Sequence, residues 1–163
     1  MTIKANLPEL SLAVQYGAKE PRLPRWRLRR WAKRALDAAA LDSLIDFDRA
    51  ELSLRLVGQV EGRKLNSAYR EKDYATNVLT FEYGTDPEGT ARGDIVICVP
   101  VLVKEAKEQG KDFLDHAAHL TIHGVLHALG YDHIKARDAH RMEALETAIL
   151  ATMRIKNPYT EIE

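Results

Sequence analysis

A single cysteine, Cys98, stands in 163 residues, so no disulfide can form within the chain and zinc modules built on several thiolates are excluded. Net charge is absent as well. With 24 Lys and Arg against 24 Asp and Glu, the chain is not built to coat nucleic acid by charge alone. Long apolar runs are missing: nothing approaches the roughly 20 residues that span a bilayer, and residues 1–19 hold only a weakly apolar patch at 10–14. Cys98 lies in the apolar run 95–99 and reads as a small buried hydrophobe, compatible with a reducing compartment. No repeat, low-complexity tract or shift in composition divides the chain, and 45% apolar content supplies a real core. The expectation is a soluble, cytoplasmic protein with no membrane association, folded as one domain over residues 1–163.

Charge that is absent in total is present locally. Residues 19–34 carry Lys19, Arg22, Arg25, Arg27, Arg29, Arg30, Lys33 and Arg34 against Glu20 alone. That density can contact several phosphates, or it can be a solvated helix face. Trp26 and Trp31, interleaved there, are expected to anchor a basic helix (about 24–40) to the core, with Pro24 near its first turn. Alternating Leu52, Leu54 and Leu56 predict a strand with one buried face. Strands are also expected at 9–16, 78–83 and 94–99, the last apolar enough to be covered on both faces. Helices are expected at 60–69, 101–109, 112–129 and 135–154, with Gly110 and Gly130 as punctuation. Strands interleaved with helices, then a helical C-terminal half, predict an α+β domain with a small sheet of about four strands. The 112–129 helix should pack on that sheet through Leu120, Val125, Leu126 and Leu129.

What the chain has in abundance is histidine in one place. All six fall between residues 116 and 140, and His123, His127 and His133 stand in the frame H-G-V-L-H-A-L-G-Y-D-H. Four residues of α-helix advance the chain by about 6 Å and carry it about 40° past a full turn, so His123 and His127 stack on one face and can converge on one ion. His119 shares that face but lies about 12 Å along the axis from His127, while Zn–N bonds are about 2.0 to 2.1 Å. A third ligand therefore requires the chain to turn back. Gly130 can take the left-handed conformation that ends a helix, and His133 follows three residues later. The order H-x-x-x-H-x-x-G-x-x-H matches the zinc signature of metzincin peptidases except at position 124, where Gly124 stands in place of their general-base Glu. His116, His119 and His140 read as ordinary side chains, with His119 the best candidate to support a ligand from one turn below. Asp132 is a candidate to orient a ligand or shuttle a proton, or simply a turn residue beside the glycine.

A second set of segments joins the histidines. L-N-S-A-Y-R ends at Arg70, T-N-V-L-T-F spans 76–81, and G-D-I-V-I-C spans 93–98. Together with H-L-T-I-H-G-V-L-H at 119–127, Gly130 and His133, they resemble the YbeY family of bacterial endoribonucleases over a motif region of about residues 50–150. The resemblance implies a compact α+β domain related to the metzincin catalytic core, and action on single-stranded RNA in maturation of 16S (small-subunit) rRNA and in ribosome quality control. The implied partners are ribosomal RNA and the small subunit or its assembly factors, not DNA. Carried over residue by residue, it implies metal ligation by His123, His127 and His133 and a catalytic role for Arg70. This chain departs from the family pattern at Ala128, where a larger aliphatic is usual, at Asn77, where Asp is frequent, and at Tyr83 and its neighbours, where a Pro is common. The first fifty residues lie outside the resemblance, so an RNA-binding role for the basic helix rests on charge alone.

The chemistry is consistent with that family. Three imidazoles leave a coordination position open, where a single Zn2+, or Ni2+ or another divalent transition metal, can lower the pKa of water toward neutrality without a carboxylate base. An arginine nearby can pair with the nonbridging oxygens of a phosphodiester. Two other readings compete. A metzincin-like peptidase would need the missing Glu at 124. A non-catalytic assembly factor with a structural metal would need a fourth protein ligand, and Cys98, the only thiol, belongs to a separate strand.

Overall fold

Apolar side chains recurring every second residue build the sheet, and those recurring every third or fourth build the helices that cover it. A computed structural model describes residues 7–42, 47–131 and 136–159. The elements run β1 (Glu9–Tyr16), α1 (Arg25–Leu41), β2 (Arg49–Val57), α2 (Gln59–Arg70), β3 (Val78–Thr85), β4 (Thr90–Cys98), α3 (Val99–Glu108), α4 (Phe113–Ala128) and α5 (Ala136–Ala151). The strands lie in the order β1-β2-β4-β3, with β1, β2 and β4 parallel and β3 antiparallel to β4. This is the α+β domain with a four-stranded sheet that the pattern predicts.

Ala50, Leu52, Leu54 and Leu56 of β2 and Ala91, Ile95 and Ile97 of β4 face α1 and α4 and are buried. From the helices, Leu28, Ala32, Ala35 and Leu36 of α1 and Ile122, Val125 and Leu126 of α4 complete the core, each fully buried. Leu120 and Leu129 are buried beside them, as expected of the α4 surface. Small residues bring α4 close to the sheet. A Cβ built on Gly93 of β4 would stand 2.7 Å from the Ala128 Cβ, and one on Gly124 would stand 2.9 Å from Ile95 Cγ2 and 3.3 Å from Val78 Cγ2. Ala128 is thus the partner of Gly93 in that close approach.

Two expectations need correction. β4 is not covered on both faces: Arg92 is exposed and Asp94 and Val96 are half-buried, because α1 and α4 cover one side of the sheet and the other carries polar contacts such as Ser53 Oγ to Asp94 Oδ1 at 2.5 Å and Tyr83 Oη to Asp94 Oδ2 at 2.7 Å. The run looked continuous because Val96 and Cys98 interrupt the alternation. The two tryptophans also part company. Trp31 is buried, but Trp26 is 59% exposed, with the Arg27 guanidinium 4.8 Å above its ring. Five residues of helix separate their directions by about 140°, so one face cannot bury both.

Candidate functional site

Both ends of α4 are locally determined, which sets the position of every histidine on it. At the N-terminus the Asp112 carboxylate accepts from the backbone N–H of Leu114 at 3.1 Å and of Asp115 at 3.3 Å, satisfying donors that have no partner inside the helix. At the C-terminus Gly130 adopts φ +113°, its N–H donates to His127 O at 3.0 Å, and the Tyr131 N–H donates to Leu126 O at 3.0 Å. This pair of bonds is the Schellman closure, so the helix does end at Gly130 as the spacing predicts. Tyr131 then anchors the exit: it is buried, and its hydroxyl donates to Asp42 Oδ2 at 2.6 Å, where the Arg141 Nη2 also reaches Oδ1 at 2.7 Å.

His123 and His127 occupy the last two turns, with ring centroids 4.6 Å apart and planes at 80°. Two imidazoles so close on one helix face can share an ion. His133 and Asp132 lie outside the described residues, and so does Lys135 at the start of the expected final helix. His119 continues the same stripe, its ring 6.0 Å from that of His123. His116 is buried and bonded through Nε2 to Glu105 Oε1 at 3.1 Å, and burial holds it below the usual imidazole range in spite of that carboxylate. His140 is exposed.

The residue that sequence reasoning missed is Glu146. It is fully buried on α5, and His123 Nδ1 bonds its Oε1 while the Tyr159 hydroxyl donates to its Oε2. His119 Nε2 stands 3.8 Å from Oε1 and 3.2 Å from the Tyr159 hydroxyl. Burial alone would raise this carboxyl, but His119, His123 and Tyr159 outweigh it and bring Glu146 down to about 2. The same burial, with the Glu146 charge beside it, pushes the Tyr159 hydroxyl up. His119, His123 and Glu146 each offer one atom within 4.8 Å of the others, so this cluster too can hold a metal ion. One signal was available: Met142, Glu146, Ile149 and Leu150 are the buried positions of α5, and a carboxylate inside an apolar stripe is rarely there without a partner.

Arg70 ends α2 on the surface beside the outer edge of the sheet. Its Nη2 donates to Thr80 O of β3 at 2.9 Å and its guanidinium lies 5.3 Å from the Phe81 ring, which Tyr69 meets edge-on at 5.2 Å. The Thr80 methyl lies beside Gly124 of α4, 3.6 Å from where a Cβ would stand. One strand therefore joins the arginine to the histidine helix. The same geometry explains Gly124: position 124 faces Ile95, Val78 and Thr80, so a longer side chain would enter the sheet.

The basic residues of α1 are largely committed inside the chain. Arg25 donates to Val14 O at 3.3 Å, Arg29 to Leu10 O at 3.1 Å, and Lys33 to Pro8 O at 2.6 Å and Asp37 Oδ1 at 2.7 Å. Spaced four apart, these three form one stripe, and it lies along β1, an edge strand.

Comparison with known proteins points to one family. The family model described as Endoribonuclease YbeY matches residues 14–154. A protein of that name from Bordetella avium is 73% identical over 157 residues, covering 96% of this chain and 98% of its own. Its counterpart from Bordetella petrii is 82% identical over 152 residues, covering 93% and 98%, and one from Burkholderia pseudomallei is 52% identical, covering 93% and 81%. The solution structure of TM1509 from Thermotoga maritima superposes with a TM-score of 0.58 at 20% identity, covering 92% of this chain and 99% of that one, which is a likeness of fold. The similarity reaches well before residue 50, so the basic helix lies within the matched region rather than outside it.

Proposed function

This chain belongs to the Endoribonuclease YbeY family, and we propose that it is a zinc-dependent, single-strand-specific endoribonuclease that hydrolyses phosphodiester bonds in maturation of 16S rRNA and in ribosome quality control. The observation that carries the metal reading is the pair of imidazoles on the last two turns of α4, 4.6 Å apart, on a helix that closes at Gly130. His123, His127 and His133 would hold the ion, which when bound supplies Lewis acidity toward water and a phosphodiester. Nickel, copper or cobalt would suit the same imidazole donors.

Arg70 would hold the scissile phosphate. A guanidinium carries five N–H donors, and with Nη2 on Thr80 O its planar fork is steadied against the sheet edge while other donors remain for nonbridging oxygens. Charge growing on those oxygens in the transition state would strengthen that contact. Exposed Arg30 and the neighbouring cations of α1 would add sequence-independent attraction for ribosomal RNA on the small subunit.

Peptidase chemistry is disfavoured by Gly124, since the position that would carry a general base points into packed β-sheet. The test is metal content and RNA cleavage measured on the same preparations. His127→Ala should lose its ion and its activity together, and chelation of the unmodified protein should abolish cleavage that Zn2+ restores. Full metal retention in His127→Ala would overturn the ligand assignment.

A further inference from the structure

We propose that Glu146 is the positioning residue of the metal centre: its carboxylate accepts from His123 Nδ1–H, so that Nε2 is the nitrogen His123 presents to the ion. This rests on the reading of His123 as a ligand. It assigns a role to a residue that neither the histidine motif nor the general chemistry of a three-imidazole site contains.

The first argument is cost. Glu146 has 0% exposure and sits in the apolar stripe of α5 with Met142, Ile149 and Leu150. A buried carboxylate is expensive unless it is paired and hydrogen-bonded, and an aliphatic side chain would fill the stripe without that expense. The second is how the carboxylate is used. Oε1 faces His123 Nδ1 and Oε2 receives the Tyr159 hydroxyl, so each oxygen has a donor aimed at it. His119 Nε2, bonded to the same hydroxyl at 3.2 Å, closes the ring of contacts. The third is the two-sidedness of imidazole. A histidine that binds a metal through one nitrogen has its tautomer and ring angle set by what the other nitrogen bonds, and a carboxylate there also raises its basicity.

The same atoms admit a rival geometry, in which His119, His123 and Glu146 are themselves the ligands. Complete burial of Glu146 counts against it, because both of its oxygens are already engaged, by His123 Nδ1 and by the Tyr159 hydroxyl. Held from behind by α5, His123 instead faces the side on which His127 stands one turn further along α4. Tyr159 draws the C-terminal segment into this support: its ring meets His119 edge-on at 5.4 Å and its backbone N–H donates to Asn157 Oδ1 at 2.8 Å. The centre is therefore supported by α5 and by the segment after it, both outside the motif.

The experiment measures Zn2+ and Co2+ affinity by competition with a chromophoric chelator for the full-length protein, Glu146→Gln, Glu146→Ala, His119→Ala and His127→Ala, with circular dichroism to establish folding. Nitrogen-15 long-range NMR on the unmodified Zn2+ protein reads the His123 tautomer independently of any mutation. Expected are protonated Nδ1 on His123, one ion per chain in Glu146→Gln with affinity lowered about 10- to 100-fold, a larger loss in Glu146→Ala, a change under about threefold in His119→Ala, and no ion in His127→Ala. Protonated Nε2 on His123, or Glu146→Gln binding as tightly as the parent, would overturn the role of Glu146 while leaving the ligand reading intact. Loss of the ion from both Glu146→Gln and His119→Ala with retention in His127→Ala would overturn both and establish the rival cluster. If Glu146→Ala does not fold, the tautomer and Glu146→Gln decide the question.

Discussion

Helices α1 and α4 each carry a dense run of one kind of polar side chain, and they use it in opposite directions. On α4 the histidines converge: His119, His123 and His127 stack along one stripe, and the first two meet a buried carboxylate from another helix. On α1 the cations spread out, Arg25, Arg29 and Lys33 each reaching a different carbonyl at the edge of the sheet. An edge strand offers unpaired carbonyls to any passing chain, and long cationic side chains laid along it remove that invitation. A cluster in sequence is thus a site only when its side chains share a target. Imidazole is short and rigid, so helical spacing dictates where it converges; Arg and Lys reach far enough to choose separate partners.

Four groups of substitutions would break or sharpen that contrast. The largest effect is expected at Arg70, which β3 links to the histidine helix. Arg70→Ala should fold, keep its metal and lose about 10² to 10³ in the rate of single-stranded RNA cleavage, as removal of one transition-state donor does elsewhere. Arg70→Lys should recover only part, since an ammonium has no planar fork. Parental cleavage by metal-loaded Arg70→Ala would remove the arginine from the mechanism.

Next is Gly124→Glu, which restores the peptidase residue at the level of sequence. A side chain driven against Ile95 and Val78 should cost about 1 to 3 kcal/mol of stability in urea unfolding, in the range of other overpacked cores, and should produce no cleavage of casein. Metal-dependent casein hydrolysis by this variant would show that position 124 can reach the ion.

On α1, the triple change Arg25, Arg29 and Lys33 to Gln should lower stability by about 1 kcal/mol, given hydrogen bonds worth about 0.5 to 1.5 kcal/mol net when well formed and less when exposed. It should also promote self-association detectable by light scattering. Arg30→Gln, which changes an exposed cation with no hydrogen-bond partner among the described residues, should leave both unchanged and reduce the salt slope of RNA binding by about one unit. Equal effects of the two variants on stability would undo the distinction between edge cover and RNA contact.

The smallest effect lies where the two helices meet. Arg141, with help from the Tyr131 hydroxyl, holds the Asp42 carboxyl below the usual carboxylate range. A depressed carboxyl contributes stability that is complete above its unfolded pKa, about 3.9, and that is lost as pH falls through the lower folded value. Asp42→Asn should therefore be less stable than the parent at pH 7 and converge with it as pH falls through the lowered folded value. A gap that stays constant as the pH is lowered from 7 until the parent acid-unfolds would mean the contact acts through shape and not charge.

Much of the fold could be read from pattern. Alternating Leu52, Leu54 and Leu56 announced β2, and Gly110 and Gly130 ended their helices with positive φ as placed. Trp26 and the second face of β4 were misjudged, since each depends on which neighbour covers a face, and periodicity does not say. His123 and His127 were legible because four helical residues leave no freedom in their relative position. Glu146, nineteen residues past His127 in the sequence, and Tyr159 beyond it were not, because only the packing of α5 and the segment after it brings them to His123 and His119.

By itself, then, the sequence determined the elements, the turn at Gly130 and the stacking of two imidazoles, all of which follow from backbone geometry over a few residues. Only the tertiary structure decided what supports those imidazoles, why residue 124 has no side chain, and what the arginines of α1 hold. Each of those depends on contacts between segments far apart in the chain, whose approach is set by the packing of whole helices on a sheet.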